Sequence, residues 1–231
     1  MEDEQVTLVV GVDLGYYALF AGDDRETVFD GENLEPRAVA GTRKVRATPL
    51  GLATGSGLTV MVFPAIEGLA EQPEILSDAD ETADFFRHFV RARSAALATQ
   101  VTDPRVVEQV PQVGWLTSAI EDSELSVKRF HWSTEFEPEY MPTRTPASLL
   151  PTDLSAEISY PAELRLMKAL RVCRGDRDLE GSFEHNLRMV VRYFKEQSAL
   201  SHMLGSGLQV GYHTRDGEIE VLDIMQLDEV T

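Results

Sequence analysis

Val6-Thr7-Leu8-Val9-Val10-Gly11-Val12-Asp13-Leu14 is a nearly continuous apolar run, and its length suits a strand covered on both faces. Gly15 interrupts the run, Tyr16 to Ala21 resumes it, and Gly22-Asp23-Asp24-Arg25 reads as a turn before Glu26 to Asp30. A three-strand meander is the simplest account of residues 6–30. Two further strands are expected at Lys44 to Thr48 and Leu58 to Phe63, flanking the glycine-bearing stretch Gly51 to Gly57, with Pro64 ending the second.

The remainder is more helical. Residues 78–99 predict a helix capped by Ser77, with Asp80 and Glu81 in its first turn and Phe85, Phe86, Phe89, Val90 and Leu97 on one stripe. Val106 to Trp115 reads as a strand broken at Pro111. Pro138, Pro142, Pro146 and Pro151, with Pro161 just beyond, make residues 133–160 an extended strap or linker. A helix is expected from Pro161, carrying Leu164, Met167, Leu170 and Cys173 and stopped at Gly175. A second spans about 182–204, with Phe183, Leu187, Val190, Val191, Phe194 and Met203 on one side. Asp216-Gly217 then joins strands Leu208–Arg215 and Glu218–Gln226 as a hairpin. The fold class is mixed α/β. Its parts are a largely β region with one helix (1–132), the strap (133–160), and a helical hairpin plus β-hairpin (161–231), which together can form one continuous domain.

Composition narrows the function classes. With 231 residues and 43% apolar content, a sizeable core is available without crosslinks. No apolar run approaches the roughly 18 residues of a membrane span, so no membrane partner is expected. The start Met1-Glu2-Asp3-Glu4 lacks the pattern of a secretory signal, and Cys173 is the only cysteine; a soluble, cytoplasmic protein is expected. The formal charge is −18, and only Lys44, Lys128, Lys168 and Lys195 are lysines among 21 bases. High acid with depleted lysine suits a halophilic surface, where molar salt shortens the screening length to about 3 Å.

The charge is segregated. Residues 1–35 carry ten acids and one base, whereas residues 36–64 carry four bases and no acid. Residues 161–205 carry eight bases against six acids. There Arg165, Lys168, Arg171 and Arg174 recur every third residue and fan over half a helix, a candidate docking face for an acidic protein partner or a second copy. Nucleic acid at the same face ranks lower, because no aromatic residues interleave with the bases.

Val9-Val10-Gly11-Val12-Asp13-Leu14-Gly15 and the residues to 30 resemble the first phosphate loop of the actin-like ATPases, and more loosely the first strand of RNase H-like nucleases. That resemblance implies Asp13 as a metal-linked acid and Gly15 in a phosphate turn, with ATP and Mg²⁺ as cofactors. Tyr16 and Tyr17 depart from the small residues usual there, and the second phosphate loop, Asp-x-Gly-x-x-Thr, is absent. None of the five histidines pairs with another at ligand spacing, no Walker loop or Gly-x-Ser-x-Gly elbow occurs, and no catalytic set is complete. The leading expectation is therefore a non-enzymatic binding or assembly subunit without cofactor, with the nucleotide- or phosphate-handling protein as its alternative.

Overall fold

The computed structural model describes residues 7–30, 35–99, 110–150, 154–201 and 204–227. The mixed α/β class holds. Two antiparallel sheets stack face to face, and helices cover the outer face of each.

The first sheet runs in the order β10 (Ala147–Leu149), β1 (Val9–Asp13), β2 (Tyr17–Asp23), β11 (Gly207–Thr214), β12 (Ile219–Val221), with β13 (Met225–Gln226) also on β11. The second runs β5 (Arg46–Thr48), β6 (Gly51–Ser56), β7 (Gly114–Glu121), β8 (Glu124–His131), β9 (Glu139–Tyr140). Among the described residues, strands β3 (Glu26–Asp30) and β4 (Glu35–Val39) pair only with each other. The expected meander is thus corrected. Strands β1 and β2 form a hairpin, but the chain then leaves the sheet and the distant β11 takes the place beside β2.

Alternation along these strands builds three cores. Val9, Ala18, Phe20, Leu52, Leu116 and Val127 fill the space between the sheets. Leu8, Val10, Val12, Leu19 and Ala21 face the other way, toward α3 (Ala156–Ala169) and α4 (Leu179–Ser198). Trp115, Phe130 and Ala119 of the second sheet face α1 (Thr59–Glu71) and α2 (Ala79–Ala98), where Phe86 stacks on Trp115 with ring centroids 4.2 Å apart. At roughly 25 cal/mol per Å² of apolar surface, such a doubly covered sandwich draws most of its stability from burial.

Several expected elements move. Leu58 to Phe63 is not a strand: Thr59 begins α1, which continues through Pro64, and the glycine-bearing stretch before it is β6. Pro64 lacks the N–H that would bond the Val60 carbonyl, and Arg93 Nε donates to that carbonyl at 3.4 Å instead. Asp78, not Ser77, caps α2, accepting from the Asp80 and Glu81 amides at 2.9 and 3.0 Å. The strand expected at Val106 to Trp115 begins at Gly114; residues 101–109 lie outside the described residues. The β7–β8 hairpin, which the sequence reading missed, turns on Asp122 and Ser123 with φ of 48° and 68°. The 133–160 strap carries edge strands for both sheets, β9 and β10. Its last residues already belong to α3, which Ser155 caps and which holds Pro161 inside it. That helix ends at Ala169, before the expected Gly175; α4 starts at Leu179 and ends at Ser198. The C-terminal hairpin turns at Gly217, with φ +87°, but its second strand, expected over Glu218–Gln226, is split into β12 and β13.

Candidate active site

At the end of the sandwich where β1 begins and β2 ends, three side chains converge that the sequence reading did not single out. Thr7 lies two and four residues before Val9 and Gly11, on the strand face that looks between the sheets. Lys44 reaches it from the segment leading into β5. Its stem crosses Gly22 of β2, where an added Cβ would come within 3.2 Å of the Lys44 Cβ. The Lys44 ammonium donates to Thr7 Oγ1 at 3.0 Å and to Asp23 Oδ1 at 2.8 Å. Relative exposures of Thr7, Lys44 and Asp23 are 7%, 2% and 0%.

Asp23 is held rigidly. Its Oδ1 also accepts the Leu8 amide at 2.9 Å, and its Oδ2 accepts the Arg25 and Gly205 amides at 3.1 and 3.2 Å. All four lone-pair sites of this carboxylate are therefore used. The neighbouring Asp24 points elsewhere and ties two loops together. Its Oδ2 accepts the Gly41 amide at 3.2 Å, from the loop bearing Lys44, and its Oδ1 accepts the Gly207 amide at 3.0 Å, from the start of β11. A Cβ at Gly205 or Gly207 would approach the Asp24 carboxylate to 2.1 or 2.4 Å, so only glycine fits there.

Two groups of β6 complete the floor. Ser56 Oγ donates to the Thr7 carbonyl at 3.4 Å. The Gly55 amide faces away from β7, because the ladder pairs Thr54 and Ser56, not Gly55, through hydrogen bonds to that strand. It lies on the side of β6 that β5 leaves uncovered, since β5 starts at Arg46 opposite Ala53. A Cβ at Gly55 would come within 2.9 Å of both Val62 and Trp115.

The chemical content of this arrangement is a hydroxyl, an amine within hydrogen-bond reach of it, and a carboxylate that orients the amine. Nucleophile, base and orienting group in that order make up the general pattern of an activated hydroxyl nucleophile. Among the described residues no cluster of three His, Cys, Asp or Glu side chains has metal-holding geometry.

The expected site residues lie elsewhere. Asp13 sits at the opposite end of β1. Its Oδ1 accepts the Gly15 amide at 2.7 Å and its Oδ2 accepts the Thr143 hydroxyl at 2.7 Å. Gly15 has φ +91° and bridges to Cys173, whose carbonyl lies 2.9 Å from where a Gly15 Cβ would be. Tyr17 packs inward there, its phenol accepting from Asn186 at 2.9 Å and pushed up to about 12 by burial. Of the basic fan, Arg165 and Lys168 are on α3, whereas Arg171 and Arg174 follow it in extended chain, so the expected continuous helical face is corrected to two short patches. All four are exposed, and Arg165 pairs with Glu196 at 2.7 Å.

Two sequence signals for the buried triad existed. A threonine opens the apolar strand, and one of only four lysines lies in a segment of otherwise arginine bases. Neither identifies its partner, because Thr7, Asp23 and Lys44 meet only through pairing of β1 with β2 and the folding back of the 40–45 loop.

No helix among the described residues is long and apolar enough to cross a membrane. No family model matches the chain, and no curated protein matches it. Among solved structures the chain is similar to the Anbu (Gly-1) mutant from Hyphomicrobium sp. strain MC1, with a TM-score of 0.61 and 11% identity over 96% of this chain and 87% of that one. At that identity the likeness is one of fold.

Proposed function

We propose that the chain is a hydrolase of amide or peptide bonds in which Thr7 is the nucleophile. The observation that carries this reading is the Lys44 ammonium lying between the Asp23 carboxylate and the Thr7 hydroxyl, with all three side chains buried. A buried ion pair is a poor stabilising device, since desolvation offsets most of its attraction. Its contact with a hydroxyl supplies a chemical reason for keeping it.

In the reaction, Thr7 Oγ1 attacks the substrate carbonyl carbon while its proton passes to a base. That base is Lys44 once its ammonium has released a proton to water, or the Thr7 α-amine if the chain is cut between Val6 and Thr7, the arrangement in which a threonine's own amine serves. The tetrahedral oxyanion takes a hydrogen bond from a backbone amide, for which Gly55 is the candidate. Collapse breaks the C–N bond, the protonated base gives its proton to the leaving amine, and water then hydrolyses the ester on Thr7. Asp23 keeps Lys44 in place throughout.

Incubation with a hydroxyl-directed electrophile, such as a peptidyl β-lactone, followed by peptide mass mapping tests this. A single adduct on Thr7, absent from Lys44→Met, is expected; no adduct at millimolar reagent would sink the reading. The same spectra show whether the peptide before Thr7 has been cut.

A second reading, docking of an acidic protein or of another copy, is supported by the groove between α3 and α4. This groove of about 380 Å³ is lined by Ala162, Leu166 and Tyr193 and rimmed by Arg165, Lys168 and Arg192. Glu196 engages both arginines, and Lys168 has no side-chain partner among the described residues. Salt-dependent association lost in Lys168→Glu would support it. A role for Asp13 with Mg²⁺ and ATP rests on the sequence resemblance and is tested by thermal shift with both ligands.

A further inference from the structure

A pocket of about 420 Å³ opens between the two sheets. Ser56, Gly114, His131, Ser133, Ser148 and Leu149 line it. Ser56 joins it to the nucleophile, because the same hydroxyl touches the Thr7 carbonyl. Strand β10 forms its other wall: Leu149 pairs with Val9, so residues 148–150 flank the start of β1.

Gly114 lets two walls of the pocket approach each other closely. A Cβ at that position would stand 2.9 Å from His131 Cδ2 and 3.1 Å from Leu149 Cδ2. The same contact places the Cδ2 edge of the His131 ring, which carries Nε2 beside it, against Gly114 in the pocket lining. The proton's position follows from the other nitrogen. His131 Nδ1 accepts the Ser133 amide at 3.3 Å and lies 2.6 Å from the Ser133 hydroxyl. A backbone N–H can only donate, so the neutral ring carries its proton on Nε2. Burial, with the nearby Arg129 adding to it, holds the ring's pKa below the usual histidine value, so the ring is neutral at pH 7.

The pocket's one charged side chain is already paired with a carboxylate. Arg129 Nε and Nη2 both donate to Glu139 Oε2, at 2.9 and 2.5 Å. What remains is one ring N–H donor, the hydroxyls of Ser56, Ser133, Ser148 and Thr134, which both donate and accept, the Gln112 carboxamide, and the apolar wall of Leu149. That inventory matches a neutral amide group better than a carboxylate, which would find no unpaired cation.

We propose that this pocket holds a glutamine or asparagine side chain of the substrate, next to the bond that Thr7 attacks, with His131 Nε2–H donating to the carboxamide oxygen. The inference rests on the hydrolase reading for its position beside the scissile bond, but the binding it requires is measurable without turnover.

Full-length Thr7→Ala protein is titrated calorimetrically with blocked hexapeptides that differ in one central residue: Gln, Glu or Ala. The Gln peptide is expected to bind about 10-fold tighter than the Ala peptide, the upper range for a neutral hydrogen bond. The Glu peptide gains nothing at pH 7.5. His131→Phe erases the preference and His131→Gln, which restores a donor, keeps part of it. Equal affinities, a preference for Glu, or a preference that survives His131→Phe overturns the proposal. In ¹⁵N-histidine-labelled Thr7→Ala protein, the His131 Nε2 resonance should shift with the Gln peptide and not with the Ala peptide. This second measurement stands even if the phenylalanine variant does not fold, and an unmoved resonance overturns the proposal. Failure of Thr7 to react with the electrophile would remove the hydrolase reading alone and leave these binding outcomes intact.

Discussion

Two of the four lysines are buried, and they do different things. Lys128 on β8 is fully enclosed, bonded to Glu121 and to the Leu76 carbonyl, which lies 3.2 Å away just before α2. Burial draws its pKa down from the usual lysine value, against the pull of Glu121. Lys44 is equally enclosed and equally paired, but besides its carboxylate it donates to the Thr7 hydroxyl. A carbonyl cannot be activated as a nucleophile; a hydroxyl can. The comparison teaches that a buried ion pair acquires chemistry from the group its ammonium touches besides the carboxylate.

The comparison can be broken by removing each lysine. Lys44→Met should lower the rate of Thr7 acylation by a factor of about 10² to 10⁴, the usual contribution of a positioned acid–base group. It should also cost about 3–5 kcal/mol, because Asp23 is left buried without its counter-ion. Lys128→Met should leave the acylation rate within about twofold while costing roughly 2–4 kcal/mol, less than its partner variant because Glu121 retains some exposure to water. Stopped-time labelling and urea unfolding on the same preparations give both numbers. Equal rate losses in the two variants would erase the distinction.

A third expectation concerns His213, whose Nδ1 lies 3.0 Å from Ser118 Oγ between the sheets. Burial lowers its pKa from 6.5 to about 4. The unfolded chain therefore takes up the proton first, so this contribution is complete above pH 6.5 and is lost as pH falls toward 4, by up to about 3 kcal/mol. Urea midpoints at pH 7.5 and 4.5 should differ by less in His213→Gln. The smallest expected effect is at the far end of β1. Asp13→Ala removes acceptors for the Gly15 amide and the Thr143 hydroxyl, costs about 1 kcal/mol, and leaves Thr7 reactivity unchanged.

Local signals in the sequence located those elements whose causes are local. The Asp216-Gly217 hairpin, the apolar strand at β1 and the Phe86–Val90 stripe of α2 each follow from a few adjacent residues. Leu58 to Phe63 misled because five apolar residues among the six between Gly57 and Pro64 suit a buried strand and a helix alike; the helix is decided by Ala65, Ile66 and Leu69, which continue its buried face. The β7–β8 hairpin was hidden because its left-handed turn positions are Asp122 and Ser123, with no glycine. The candidate site was unreadable for a different reason. Thr7 and Lys44 are 37 residues apart and Asp23 sits between them in an acidic run, so nothing adjacent marks any of the three.

Asp24 has a dynamic corollary. It fastens the 40–45 segment and the 205–207 segment to the same carboxylate, while its own N–H donates to the Gly207 carbonyl and its carbonyl accepts the Thr42 amide. The two segments are distant in sequence yet share a latch. Their amide protons should therefore exchange with solvent at a common rate and through one opening event, in which Lys44 swings away from Thr7 whenever the latch lets go.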